Sequence, residues 1–304
     1  MLVAMISQPE EKIPFDIPAR LRREGVDIIC KRCENREALV EFAADAEIIW
    51  LFGANIALDA EALRQLPKCK ALFRSGSGMD ALPCEEAKKR GVLLFNTPQS
   101  ISESVAEHAV SLLFSAARHI VQFDKQVRQG EWDSSNNQTR WHLTGRTLGL
   151  VGYGNIARHV EKMVSGFDMR VLHFDPFAPD STDLDELLKE SDYISLHCPL
   201  TDDTRHLINA EKLALMKPNA LIVNTSRGGV IDEKALIAAL KNNQIGGAAL
   251  DVTEVEPPDA ANELLTLDNV IITPHVAAFS ADFEKNFFEF SYRKILEISE
   301  KLQG

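Results

Sequence analysis

Cysteine is scarce in this chain of 304 residues: five, an odd number, scattered at positions 30, 33, 69, 84 and 198. That excludes a disulfide-stapled secreted scaffold. Cys30 and Cys33 form a C-x-x-C, but no second Cys or His pair stands at zinc spacing, so they read as surface thiols of a reducing compartment. Long apolar runs are missing as well; none approaches the roughly 18 residues of a membrane span. Met1 to Ile6 are apolar, yet Pro9, Glu10, Glu11 and Lys12 follow, with no basic n-region and no small-residue cleavage site. The segment reads as a first strand rather than a signal peptide, and the cytoplasm is the expected compartment. Basic residues are outnumbered, 33 against 45 acidic, for a net charge of -12. Such a field repels nucleic acid and anionic membrane, so neither is an expected partner. An anionic substrate must be held by local positive groups acting against it.

What is present is an ordinary globular composition, 45% hydrophobic and 26% charged, in a chain long enough for about two domains. Short β-rich runs alternate with helical segments. Strands are expected at 2–7, 27–30, 47–52, 71–75 and 93–96, with helices between them, which indicates a parallel sheet wrapped by helices. Thr97-Pro98 punctuates the chain. A helical stretch from Ser102 to Arg128 follows, striped by Ala106, Ala109, Val110, Leu113 and Ala117, and then a polar loop, 129–141. A second series of six strands is expected at 147–151, 170–174, 193–197, 221–224, 247–250 and 270–273, the number a complete dinucleotide-binding domain needs. The last helix, Ala281 to Lys301, carries Phe283, Phe287, Phe290 and Ile298 as a packing face.

Residues 148–157 read LGLVGYGNIA. Gly152, Gly154 and Ala157 form a G-x-G-x-x-A between an apolar strand and a helix. The first glycine permits a tight turn, the second lets a pyrophosphate approach the backbone, and Ala157 lets helix lie on strand. The anion then meets the unpaired N–H groups of a helix N-terminus. Twenty-one residues after Gly154 the next strand ends at Asp175, where an acid can bond the ribose hydroxyls. Asp175 repels a 2′-phosphate and Pro176-Phe177 supplies no Arg to offset it, which favours NAD over NADP.

Three isolated polar residues each follow a predicted strand: Arg227 in NTSRGG, Glu256 in TEVEPP and His275 in TPHVAA. Singly each has a bland alternative: a surface Arg, a loop acid, a core imidazole. Together, in a dinucleotide domain, they match what hydride transfer needs from a protein, namely a held carbonyl and one exchangeable proton. His moves a proton near neutral pH, a carboxylate beside it orients the ring, and Arg grips a carboxylate with two parallel bonds. Ligand clusters for a catalytic metal are absent from the sequence.

The order of motifs resembles the D-isomer-specific 2-hydroxyacid dehydrogenase family, which includes phosphoglycerate dehydrogenases and glyoxylate/hydroxypyruvate reductases. RSGSGMD (74–80) is similar to its substrate-carboxylate loop, NTP and VAEH (96–98, 105–108) to its interdomain segment, and LHCPLT (196–201) and NTSRGGVID (224–232) to its later cofactor and Arg motifs. DVTEVEPP (251–258) and TPHVAA (273–278) resemble the stretches carrying its Glu and His. The resemblance implies an NAD-dependent enzyme that interconverts a small 2-keto acid and its D-2-hydroxy acid. Arg227 would bind the substrate carboxylate, His275 would be the acid/base, and Glu256 its partner. Ser77 and Gly78 would offer N–H groups to the carboxylate, with Arg74 either binding a second anionic group or solvating its loop. Ser77, Gly152, Gly154, Asn155, Ile156, Asp175, Cys198, Pro199, Thr225, Ser226, Arg227, Asp251, His275 and Ala277 fall where the family meets NAD.

The implied fold is α/β: two Rossmann-like or flavodoxin-like, doubly wound parallel-sheet domains. A cofactor domain, 99–278, is inserted into a substrate domain, 1–98 with 279–304, with hinges near 97–101 and 276–281. Members are usually dimers, so a homodimer is expected. Trp132 and Trp141 either reach a neighbouring subunit or, the preferred expectation, lie in buried packing. Two departures stand out: the segment between Asp175 and Leu184 is shorter than the family habit, and Phe279 replaces a commonly small residue. A different class stays open, an NAD-sensing binding protein on the same fold, and so does the identity of the hydroxy acid.

Overall fold

The structure is a computed structural model that describes residues 1–53, 57–80, 82–133 and 142–303. The chain divides into two compact units, Met1–Ile101 with Ser280–Gly304, and Ser102–Phe279, so the second is inserted into the first. Each is an α/β unit built on a parallel sheet.

In the first unit, β1 (Leu2–Met5), α1 (Ile17–Arg23), β2 (Asp27–Cys30), α2 (Arg36–Ala43), β3 (Ile48–Leu51), α3 (Ala60–Arg64), β4 (Ala71–Arg74), α4 (Cys84–Arg90) and β5 (Leu93–Asn96) follow one another. The sheet order is β2-β1-β3-β4-β5 and every pairing is parallel. β3 reads IIWL and is buried throughout, as a strand covered on both faces must be. Asn35 and Asp59 cap α2 and α3 by accepting the N–H of Ala38 and Ala62. The C-terminal helix, Phe283–Gln303, closes this unit with Phe287, Phe288, Ile295 and Ile298 buried against Trp50 and Phe73. Phe290, expected on that face, is 37% exposed: position 290 lies outside the arc that 287, 288, 295 and 298 share.

The second unit starts with α5 (Ser102–Arg118) and α6 (Ile120–Arg128). The single helix expected over 102–128 is therefore two, because His119 turns left-handed at φ 54° and interrupts the ladder. Then come β6 (Thr147–Val151), α7 (Asn155–Val164), β7 (Arg170–Phe174), α8 (Leu184–Glu190), β8 (Tyr193–Leu196), α9 (Ala210–Leu215), β9 (Leu221–Asn224), α10 (Glu233–Lys241), β10 (Gly247–Leu250) and β11 (Val270–Ile272). The order is β11-β10-β9-β8-β6-β7. It reverses between β6 and β8, and in open α/β sheets ligands collect outside the carboxyl ends of strands at such a reversal. Leu148, Leu150, Val223 and Ala249 face one apolar layer with Ala106, Ala109 and Ala157. Val151, Leu196, Ile222 and Leu250 face the other.

Two expectations about single residues are corrected. Cys33 is buried rather than a surface thiol, Cys69 and Cys198 are buried as well, and burial pushes the Cys30 and Cys69 thiols up to about 12 and Cys198 to about 11, so none of these is a ready thiolate. Trp132 is 85% exposed, not packed inside this chain, while Trp141 and most of the 129–141 loop lie outside the described residues. Among the described residues no helix is long and apolar enough to cross a membrane, and no group of His, Cys, Asp and Glu can hold a metal ion.

Candidate active site

β6 delivers the glycine turn to the sheet reversal. Gly152 sits at φ +87°, and a Cβ there would fall 2.5 Å from the backbone nitrogen of Cys198, so both conformation and space demand glycine. A Cβ on Gly154 would meet nothing within 4 Å, and Gly154 heads α7 without any side-chain cap. The first N–H groups of α7, from Asn155 and Ile156, therefore receive no side-chain cap and have the helix dipole behind them. Ala157 is fully buried.

At the end of β7 the Asp175 carboxylate accepts the Tyr153 N–H at 2.8 Å and the Phe177 N–H at 2.9 Å, one on each oxygen. The acid is thus fastened to the glycine turn itself, with lone pairs left for hydroxyl donors. Across the reversal, Cys198 is buried and Pro199 exposed. The Thr225 hydroxyl is buried without a hydrogen-bond partner among the described residues. An open glycine, an uncapped helix start, an acid at the next strand and an orphaned hydroxyl fit a dinucleotide.

His197 lies in LHCPLT, and nothing in the sequence singles it out there. Its two ring nitrogens are buried and unpartnered among the described residues, and burial pushes its imidazole down to about 4. It is a neutral ring on the segment packed against the glycine turn.

Arg227, Glu256 and His275 come from the loops after β9, β10 and β11. Asn224 shapes the first loop: its amide donates to the Arg227 carbonyl at 2.9 Å, and its oxygen accepts the Ser226 N–H and hydroxyl at 2.9 and 2.8 Å. The Arg227 guanidinium donates to the Ser226 carbonyl at 2.8 Å. The second loop is pressed onto the first. A Cβ on Gly228 would lie 2.0 Å from the carbonyl carbon and oxygen of Thr253 and 2.4 Å from the Glu254 nitrogen. Only glycine allows that approach, which seats the Arg227 segment against the backbone leading to Glu256.

Glu256 accepts the Thr253 N–H at 3.3 Å on one oxygen and meets His275 Nδ1 at 2.6 Å with the other. An ionised carboxylate only accepts, so Nδ1 carries the proton in that bond. Nε2 is left toward solvent on a side chain 49% exposed. His275 itself is left-handed, φ +53°, and its N–H donates to the Asp251 carbonyl at 2.8 Å.

Asp251 was expected among the cofactor contacts; the structure gives its carboxylate other work. It is 1% exposed and accepts the Val276 and Ala277 N–H groups at 3.0 and 2.8 Å and the Thr273 hydroxyl at 2.5 Å. His108 Nε2, on α5, lies 3.0 Å from that hydroxyl and 3.5 Å from the carboxylate. Burial pushes the Asp251 carboxyl up, but bonds from His108, Thr273, Val276 and Ala277 outweigh it and hold it below the usual range. Asp251 thereby fixes the loop that carries His275, and the Ala277 N–H is spent on it.

In the first unit, Ser75 is anchored by Trp50 Nε1 at 2.8 Å and by the Ser291 hydroxyl at 2.7 Å. Gly76, at φ +96°, turns the chain into the Ser77-Gly78 loop. The Ser77 carbonyl accepts Asn96 Nδ2 at 2.8 Å, and the Arg74 guanidinium donates to the Gly78 carbonyl, closing its own loop. The N–H groups of Ser77 and Gly78 make no hydrogen bond among the described residues.

Residues 110–277 match the NAD-binding domain of the D-isomer specific 2-hydroxyacid dehydrogenases. A hydroxypyruvate reductase from Thermotoga maritima is 37% identical over 87% of this chain and 88% of its own. A D-lactate dehydrogenase from Aquifex aeolicus, solved with NAD and lactic acid, superposes with a TM-score of 0.85 at 29% identity, covering 98% of this chain and 96% of its own. An acyclic imino acid reductase, solved with NADPH and D-Arg, superposes at 0.89 with 27% identity, covering 99% and 98%. A family match over more than half of the chain, joined to a relative of that identity and coverage, makes this chain a member of the D-isomer specific 2-hydroxyacid dehydrogenase family, an NAD(H)-dependent oxidoreductase.

Proposed function

We propose that this enzyme interconverts a small 2-keto acid and its D-2-hydroxy acid, with His275 as acid/base, Glu256 as its partner and Arg227 as the carboxylate clamp. The observation that carries the reading is the 2.6 Å bond between His275 Nδ1 and Glu256, on a loop pressed against the one bearing Arg227. Gly152, Gly154, the start of α7, Asp175 and Thr225 would hold the dinucleotide. Bound NADH supplies two electrons and a hydrogen to the carbonyl carbon. The chain does the rest. Arg227 presents parallel N–H groups to the substrate carboxylate, which fixes the neighbouring carbonyl. His275 gives its Nε2 proton to the carbonyl oxygen as that oxygen gains charge, and takes it back in the oxidative direction. Glu256 holds the ring in one orientation and stabilises the imidazolium that must precede proton donation.

An NADH-oxidation screen over glyoxylate, hydroxypyruvate, pyruvate and 2-ketobutyrate, with 3-phosphoglycerate and NAD in reverse, tests this. Turnover of at least one 2-keto acid is expected, and His275→Ala should lower kcat by about two to four orders of magnitude. Tight NADH binding without turnover of any keto acid would instead favour a sensor, and a His275→Ala variant near wild-type rate would end the proton-relay assignment.

A further inference from the structure

The chain segment after β8 runs through Thr201, Arg205 and His206 before α9, and it lies against both catalytic loops. We propose that His206 is a positioning residue that ties the Arg227 loop to the Glu256–His275 pair; the proposal rests on the roles assigned above to those three residues. Two bonds from one residue carry it. The His206 backbone N–H donates to the Gly229 carbonyl at 2.8 Å, two residues beyond Arg227. Its ring Nε2 meets Glu254 Oε1 at 2.9 Å, two residues before Glu256. His206 adopts φ +51° in making both, a left-handed conformation that residues other than glycine occupy infrequently.

The surroundings make the tie directional. Ile208 N–H donates to the Val230 carbonyl at 3.1 Å and Asp232 N–H to the Ile208 carbonyl at 3.0 Å, so the 206–208 segment is stitched along the strip that follows Arg227. Glu254 is held from the other side as well: its N–H donates to Glu233 Oε2 at 2.9 Å, and Glu233 in turn accepts Asn262 Nδ2 at 2.7 Å. Between these anchors the Thr253–Glu254 peptide lies flush on Gly228. Glu254 is therefore a fixed post from which the chain swings to Glu256, and the ring of His206 holds the post's carboxylate. With Glu254 ionised, Nε2 is the donor and a neutral ring suffices. The side chains are 39% and 32% exposed, and a pair so placed adds little to stability. Its consequence is geometric, because small displacements of a proton-transfer pair cost rate.

The test uses the full chain with a turned-over keto acid and NADH. His206→Ala should lower kcat about tenfold, with KM for both substrates within about twofold and an unchanged melting temperature. His206→Gln, whose amide can reach Glu254 as a donor, should restore most of kcat. Glu254→Ala attacks the same bond without touching the left-handed residue and should match His206→Ala. The double variant should be no slower than either single one, since coupled residues are not additive. Wild-type kcat in His206→Ala, a raised KM at constant kcat, or a Gln variant as slow as Ala with a lowered melting temperature would each overturn the assignment. A His275→Ala control separates the layers: if it is slow while His206→Ala is not, this proposal alone fails; if it is as fast as wild type, the underlying reading fails too.

Discussion

At Arg227 the decisive property is shape rather than charge. The guanidinium donates to the Ser226 carbonyl, which helps to fix the plane in which it is presented. A Lys keeps the positive charge but cannot offer two parallel donors from a preset plane. Arg227→Lys should therefore lower kcat/KM for keto acids ten- to a hundredfold, the range of one charged hydrogen bond, with KM for NADH changed far less. Steady-state kinetics against both substrates checks it, and an equal loss for both would point to loop damage instead. Asp251 poses the opposite case, a residue that acts by what it holds. Its carboxylate satisfies the Val276 and Ala277 N–H groups and the Thr273 hydroxyl inside the protein. Asp251→Ala strands those donors and should cost about 3 kcal/mol of stability, measurable by denaturant unfolding. It should slow turnover through the displaced His275 loop, and a variant as stable as wild type would refute the anchoring role.

At the scale of elements, the strands and their order along the chain were legible because fully buried parallel strands are short apolar runs bounded by turn residues. The G-x-G-x-x-A turn was legible for a physical reason too: the φ of Gly152 and the crowding against Cys198 leave no other residue possible. The break at His119 was not, since neither Gly nor Pro marks it and the apolar stripe continues across. Nor were the bonds of Asp251 and His206 visible, because both depend on partners from loops that follow other strands, 22 and 48 positions away, that only the fold brings near. The β7–α8 connection gives the element-level prediction. Asp175 bonds the glycine turn through the Tyr153 N–H, and on the reading proposed above it would meet the ribose. Asp175→Asn keeps an acceptor for the turn but removes the charge that repels a 2′-phosphate. It should reduce kcat/KM with NADH about tenfold, a charged hydrogen bond's worth, and raise it with NADPH. An unchanged ratio of the two would remove Asp175 from cofactor choice.

For the whole molecule, charge and burial pull stability in opposite directions as the solution is acidified. With 45 acidic against 33 basic residues, protonating surface carboxylates relieves self-repulsion and on its own favours the compact state below neutrality. His197 works against that trend. Its ring nitrogens are buried without a partner among the described residues, and burial pushes the folded imidazole down to about 4 from the ordinary 6.5 of the unfolded chain. Between those values the unfolded chain binds a proton the folded one refuses, so stability rises with pH there and is lost as pH falls from 6.5 toward 4. The loss amounts to about 3 kcal/mol at the lower end. A His197→Gln variant fills similar space without a titrating group. It should unfold with a flatter pH dependence between 6.5 and 4.5, and the wild-type minus variant difference cancels the surface carboxylates common to both. Urea unfolding at half-unit pH steps supplies that difference. A constant difference across the window would mean that His197 takes up its proton in the folded protein, and so that water or a carboxylate reaches the ring.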